Sequence, residues 1–576
     1  MSYIKLFPYL KEFKKYAFLA PVSVTIEVIL EIILPLLMSK IIDVGIANSD
    51  MGYITKTGLL MVGAALLSLL FGAASARFAS VGAAGFAMNL RQALFEKIQD
   101  FSFRNIDHFS TASLITRLTT DITFIQNSFM MIIRVLVRAP VMMISATVMA
   151  ISINSRLAMI FLIAVPILGA FLAFISYKAH PYFVKMFKKF DAMNASVQEN
   201  LIAIRVEKAF VRHDYENEKF EFTATDVQNA QKQAEKLVIL SSPLMMLTMS
   251  ISIIAIAWFG GNQIIAGDMM TGELFSFITY NTQILMSLMM ISMVFVMVVI
   301  SQASADRINA VFEEKLDMTD ADADAGLAIA DGSVTFEHVS FSYAKDAENP
   351  VLTDINLKIE SGETVGIIGG TGSAKTTLVS LIPRLYDVIG GNLLVGGKDV
   401  RSYKLDTLRN AVSMVLQKNV LFSGTIRDNL KWGDENATDE EIIAACKDAQ
   451  AHDFIMSFPN GYDTDLGQGG VNVSGGQKQR LCIARALLKK PKVMILDDST
   501  SAVDTATDLR IRKALREKHS NITTIVIAQR IMSVMEADKI VVMNDGRVEA
   551  IGKHAELLTS SEIYREVYES QQKGVA

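Results

Sequence analysis

The chain changes texture once along its length. Up to about position 310, long apolar runs are separated by polar connections, and beyond it short β-branched runs alternate with polar positions. Apolar stretches over 17–42, 58–82, 130–151, 157–175, 237–260 and 274–300 each approach or exceed the roughly 20 residues that a helix needs to cross a bilayer. The pattern predicts six transmembrane helices within residues 1–310. The opening MSYIKLFPYLKEFKKYAF is charged and amphipathic, and it predicts an interfacial helix leading into the first span, not a cleavable signal. Residues 311–332 form an acidic, alanine- and aspartate-rich linker, and residues 333–576 read as a second, α/β domain.

Composition agrees with a membrane protein, since 51% of the residues are hydrophobic. The net charge of -5 gives no reason to expect nucleic acid as a partner. Two cysteines, Cys446 and Cys482, cannot build a disulfide framework and are expected to be buried thiols in a reducing compartment. Lysines and arginines crowd the N-terminus and the second-to-third and fourth-to-fifth connections, while the other three connections carry few bases. The positive-inside rule then places the basic connections and both termini in the cytoplasm of a cell-membrane protein. These connections are long and amphipathic, so the helices are expected to continue well past the bilayer as cytoplasmic extensions.

Several charges fall inside the spans, where they are costly unless paired or wetted. Glu27 and Glu31 share one face of the first helix, and Arg134 and Arg138 share one face of the third. Counted from the cytoplasmic ends, both pairs lie at matching depth in the inner half of the membrane. The match favours a structural ion-pair lattice over a lining for charged substrate. Met286, Met289, Met290, Met293 and Met297 make a soft face on the sixth span, suited equally to helix packing and to varied apolar ligands.

In the second domain, VTFEHVSFSY and INLKI read as strands, and ETVGIIG is a strand running straight into GGTGSAKTT. Strand, glycine-rich turn and the apolar helix TTLVSLI form the setting of a phosphate loop. Its residues are Gly369, Gly370, Thr371, Gly372, Ser373, Ala374, Lys375, Thr376 and Thr377, with Ala374 in place of the usual second glycine. Backbone amides would surround the phosphates, Lys375 would neutralise the β and γ oxygens, and Thr376 would ligate Mg²⁺. Alanine suits a helix start, so the added methyl is expected to leave the loop closing around ATP.

Further on, VMILDDST is a buried strand ending in Asp497, placed to hold Mg²⁺. Between them lies NVSGGQKQR, whose Ser474, Gly475 and Gly476 open a helix with backbone donors for a second anion. With Gln417 in SMVLQKN, Tyr343 in FSY, Asp504 ending SAVD and Gln529 in IVIAQR, order and spacing resemble the nucleotide-binding domain of the ATP-binding cassette family. The six-span domain ahead of it resembles the membrane domain of that family's exporters. SFRNIDHFSTASLITRLTTD, 102–121, resembles the first intracellular loop, with Ala112-Ser113 replacing threonine-glycine, and TDLGQGG carries Gln468 where a glutamate is customary.

The resemblance implies two cassettes facing head to tail, each ATP lying between one phosphate loop and the other subunit's signature, here Ser474 to Gln477. It further implies that Tyr343 stacks on adenine and that Gln417 senses Mg²⁺ and the γ-phosphate. Two departures fall in the catalytic step. The family's general base after Asp497 is a glutamate, and here it is Asp498, shorter by one methylene. Its switch histidine is here Gln529, which cannot titrate. Together they point to an exporter subunit with a slow, degenerate site of its own and an intact VSGGQ that completes the site of a paralogous partner. The expected cargo is hydrophobic or amphipathic, moved outward from a lipid surrounding. The alternatives are an ATP-gated regulator or channel-like sensor, and a symmetric homodimeric exporter.

Overall fold

A computed structural model describes residues 3–320, 323–324, 326–344, 349–499 and 502–573, apart from the side chains of 187, 299, 300 and 573. It contains two compact units, Met1–Gln99 with Ser110–Glu314, and Asp100–Phe109 with Lys315–Ala576. The helices of the N-terminal half are α1 (Lys14–Lys40), α2 (Met51–Gln99), α3 (Phe103–Phe109), α4 (Thr111–Thr116), α5 (Ile122–Ile153), α6 (Ser155–Ala209), α7 (His213–Val238), α8 (Ser241–Ala266) and α9 (Thr271–Glu313). All but α3 belong to the first unit.

Among the described residues, six helical spans of 43 to 55 residues are long and apolar enough to cross a membrane. At about 1.5 Å per residue such spans reach roughly 65–80 Å, more than twice the ~30 Å hydrocarbon core, so the extension read from the amphipathic connections is present. The bundle core joins Val28 and Ile32 of α1, Met142 and Ala146 of α5, and Phe277 and Tyr280 of α9. Two polar groups there find backbone partners: Tyr280 Oη donates to the Ile32 carbonyl at 3.0 Å and Ser276 Oγ to the Pro35 carbonyl at 2.7 Å. Asp43 Oδ1 accepts the Gly272 amide at 2.6 Å, placing an anion at the positive end of α9.

Three of the four intramembrane charges join in ion pairs, as the ion-pair reading expected. Arg138 takes both carboxylates, bonding Glu27 Oε1 through Nη1 and Glu31 Oε2 through Nη2 at 2.6 Å. Among the described residues no ion pair reaches Arg134, and one arginine is shared between two acids. The planar guanidinium presents its nitrogens as a fork, which one turn of α1 matches and a second arginine is not needed to fill. Met286, Met289, Met290 and Met293 are exposed, so they lie outside this unit's own core. A pair that the sequence did not announce joins the buried Asp121 to the half-exposed Arg307, where Arg307 Nε donates at 2.8 Å and Ser304 Oγ adds a bond at 2.9 Å.

The second unit holds β1 (Val334–Phe341), β2 (Leu352–Ile359), β3 (Thr364–Gly369), β4 (Gly390–Val395), β5 (Lys398–Asp399), β6 (Val412–Val415), β7 (Val493–Asp497), β8 (Thr523–Ile527), β9 (Lys539–Asn544) and β10 (Arg547–Gly552). An antiparallel sheet runs β2-β1-β4-β5, and a six-stranded sheet runs β10-β9-β3-β8-β7-β6 with all but its β10 edge parallel. Every residue of β7 and β8 is buried, as central strands covered on both faces must be. Short α10 (Lys375–Ser380) follows β3. Cys446 and Cys482 are buried free thiols, and burial pushes Cys446 up to about 12, as inert core cysteines behave.

Candidate functional site

Strand register assembles the site before any side chain acts. β3, β8 and β7 lie side by side in parallel, with Ile527 opposite both Ile367 and Asp497. Their carboxyl ends are therefore level, and that edge is where open α/β sheets bind ligands. β3 turns there into the phosphate loop, β7 into Asp498 and β8 into Gln529. The Asp498 amide still donates to the Ile527 carbonyl at 3.0 Å, which carries the ladder one residue past the strand. β6 pairs with β7 and delivers Gln417 to the same edge.

Side chains then meet as this register requires. Gln529 Nε2 donates to Asp498 Oδ2 at 3.0 Å, and Gln417 also hydrogen-bonds the Asp498 side chain. Burial pushes Asp498 above the usual carboxylate range, while these two bonds and the charge of Lys375 pull it back. Thr376 Oγ1 donates to Asp497 Oδ1 at 3.1 Å. Burial also raises the Asp497 carboxyl, and its other oxygen, Oδ2, is buried without a hydrogen-bond partner. A hydroxyl and a stranded carboxylate oxygen, with the Gln417 amide on the same edge, are the hard donors that suit Mg²⁺.

The Lys375 ammonium folds onto its own loop, donating to the carbonyls of Gly369 and Gly370 at 2.8 Å each and to Ser373 Oγ at 3.2 Å. Burial lowers its pKa, opposed by the charges of Asp497 and Asp498. Gly372 has φ +87, and Ala374, capping α10, has φ 65 and ψ 24. This corrects the expectation that alanine is at ease here. The position is left-handed, so its cost is backbone strain of about 1–2 kcal/mol and not the bulk of one methyl. Ala374→Gly is expected to stabilise the second unit by up to about 1 kcal/mol, the extra chain entropy of glycine offsetting part of the relief. A chemical-denaturation midpoint that falls in this variant would show that the left-handed conformation is not held.

Tyr343 stands two residues beyond β1, with 43% of its surface exposed, and its hydroxyl is hydrogen-bonded to Thr377 Oγ1 at 3.0 Å. A ring open on one side beside the phosphate loop offers a surface for stacking. Thus Tyr343, the loop 369–377, Gln417, Asp497, Asp498 and Gln529 converge. The signature stands apart: among the described residues no hydrogen bond joins Ser474, Gly475, Gly476 or Gln477 to the loop. Ser474 caps the helix Gly475–Leu488, its Oγ accepting the Gln477 amide at 3.3 Å while Gln477 Oε1 accepts the Ser474 amide at 2.8 Å. Sequence reasoning singled out 102–121 as a loop but not the contacts made by α3 within it, whose Arg104 and Asp107 reach Tyr343 and Tyr386.

Residues 17–310 match the ABC transporter transmembrane region, and residues 352–501 match the ABC transporter domain. The first match alone spans half of the chain. The chain belongs to the ABC transporter family. It is 38% identical over 570 residues to the uncharacterized ABC transporter ATP-binding protein YfiB of Bacillus subtilis, with 98% of each chain covered. It is 34% identical over 487 residues to the ATP-dependent lipid A-core flippase of Desulfotalea psychrophila, with 84% of each covered. Its fold matches a bacterial Atm1-family ABC exporter with ATP bound at TM-score 0.85 and 24% identity, over 97% of this chain and 99% of that one. The two matches give this ABC transporter chain a membrane domain followed by a cassette, the make-up of a half-transporter with ATPase activity coupled to transport.

Proposed function

We propose that this half-transporter binds Mg-ATP at a degenerate site of its own, cleaves it slowly, and completes the catalytic site of a paralogous partner through its VSGGQ signature. The observation that carries the reading is the Gln529–Asp498 contact at 3.0 Å. A general base must reach the attacking water, and here the acid at that position is one methylene short and tied at its tip by an amide. Glutamine donates to that carboxylate but cannot titrate as histidine does.

The residues divide the work. Lys375 leaves its loop carbonyls to neutralise the β- and γ-phosphates, and the loop amides cradle them. Thr376, Asp497 and Gln417 would hold Mg²⁺, which would supply neutralisation of phosphate charge. Tyr343 stacks on the base. Ser474, with its Oγ already accepting from Gln477, has its hydroxyl hydrogen left to donate to the partner's γ-phosphate.

The cargo class we infer is hydrophobic or amphipathic, with lipid the nearest chemistry. The exposed methionine face of α9 supports it, as do relatives named lipid A-core flippase. The basic connections orient both termini to the cytoplasm of the cell membrane. The experiment for the central reading is the fate of ATP on the chain purified without any other ABC subunit, where retention uncleaved is expected.

A further inference from the structure

Residues Asp100–Phe109 lie in sequence between two membrane helices yet cluster with the nucleotide-binding unit. Within them, α3 is pinned at its start: Ser102 Oγ and Asn105 Oδ1 bond at 2.9 Å, and Asn105 Nδ2 donates to the Lys315 carbonyl at 3.0 Å. From this base two side chains reach the aromatic group around Tyr343. Arg104 Nη2 donates to the Tyr343 carbonyl at 2.7 Å, with Asp317 Oδ2 3.7 Å from its other arm. Asp107 Oδ2 accepts the Tyr386 hydroxyl at 3.0 Å. The Tyr386 ring stands edge-on to Tyr343, with centroids 5.1 Å apart and planes at 89°, and also touches Phe341 and Phe103.

Tyr343 also packs edge-on against Phe341 of β1, with ring centroids 4.9 Å apart. The last backbone pairing of β1 is the Val351 amide to the Phe341 carbonyl at 2.7 Å, so Tyr343 lies past the sheet. Four described contacts then hold it: its carbonyl through Arg104, its edge through Tyr386, its hydroxyl through Thr377, and its ring through Phe341 of β1. The first two are made or held by α3. A charged donor to a carbonyl is among the stronger neutral-acceptor bonds, and an edge-to-face aromatic contact prefers one orientation.

We propose that Arg104 and Asp107 are positioning residues for the base-stacking tyrosine, so that α3 sets how tightly the site holds the purine ring. The inference rests on the reading of Tyr343 as the stacking residue. It makes the segment between two membrane helices a regulator of nucleotide affinity.

The test compares binding of Mg-ATP with binding of Mg-tripolyphosphate, which has phosphates but no base, to the purified full chain. Arg104→Ala and Asp107→Ala are expected to weaken Mg-ATP binding about three- to tenfold and to leave Mg-tripolyphosphate unchanged. Arg104→Lys, which keeps one donor, is expected to recover part of the loss. In the Tyr343→Ala background Arg104→Ala is expected to add little, because both act through one contact. Equal loss for both ligands would mean that Arg104 merely supports the fold, and would overturn the proposal. Unchanged ATP binding in Arg104→Ala alongside a loss in Tyr343→Ala would overturn it while leaving the stacking role intact. Unchanged ATP binding in Tyr343→Ala would remove the stacking reading and the proposal with it.

Discussion

Replacing Asp498 by glutamate together with Gln529 by histidine is expected to raise ATP cleavage at this chain's own site by on the order of a hundredfold. The backbone for the change is already in place. Asp498 leaves β7 level with the turn after β8, so a longer acid at 498 and an imidazole at 529 start from neighbouring positions. Glutamate extends the carboxylate by one C–C bond, about 1.5 Å, toward the place of the attacking water. A miss of about 1 Å can cost about a hundredfold, and a well-placed general base is worth about a hundred- to ten-thousandfold in all. Histidine at 529 replaces an amide donor by a ring that bonds and titrates near neutral pH. The two changes act on one step, so Gln529→His alone is expected to change the rate little, and the double variant is expected to exceed the sum of the singles. The measurement is phosphate release by chain-only preparations that light scattering shows to be dimeric, where the second copy supplies VSGGQ. A double variant no faster than the parent would mean that Asp498 and Gln529 do not limit cleavage.

The second large effect lies at the signature. In a complex with a half-transporter bearing the consensus glutamate and histidine, Ser474→Arg or Gly475→Leu is expected to lower turnover by a hundredfold or more. The loss does not come from unfolding. Removing the Ser474 cap costs the helix only about 1 kcal/mol, and a Cβ on Gly475 meets nothing closer than the Ala502 Cβ at 3.7 Å. Gly476 is unsuited to the test, because a Cβ there would sit 2.7 Å from the Ala502 carbonyl oxygen and disturb the fold itself. ATP binding at this chain's own loop is expected to persist in both variants, since the described signature residues make no hydrogen bond to it. Unchanged turnover in the complex would count against signature exchange between subunits.

Much of this site was legible from sequence because its parts obey local rules. ETVGIIG before GGTGSAKTT, and VMIL before Asp497, place a loop and an acid at the ends of buried strands, and parallel pairing makes those ends level. The Ser474–Gln477 capping box is equally local, two residues satisfying each other three apart. The six long helices follow from apolar length alone.

What was not legible depends on separations that no local pattern records. Arg104 and Tyr343 are 239 positions apart, and Tyr386 and Asp107 are 279 apart. The matched depths of Glu27, Glu31, Arg134 and Arg138 foretold an ion pair but not that one guanidinium takes both acids. For Ala374 the residue type was visible and its left-handed backbone was not, because φ is set by how the loop must turn into α10. The six-residue length of α10 was likewise hidden, since the apolar run TTLVSLI continues past the point where the helix stops.

The most direct test of the central claim follows bound nucleotide on the full chain purified in lipid without any other ABC subunit. The chain is incubated with Mg-ATP labelled on the γ-phosphate, freed of unbound nucleotide, and sampled over time. The expected result is saturable binding with the nucleotide recovered as ATP over many minutes, and release of label only in the Asp498→Glu, Gln529→His variant. Rapid recovery as ADP from the parent chain, at a rate equal to that of the double variant, would contradict the degenerate-site account.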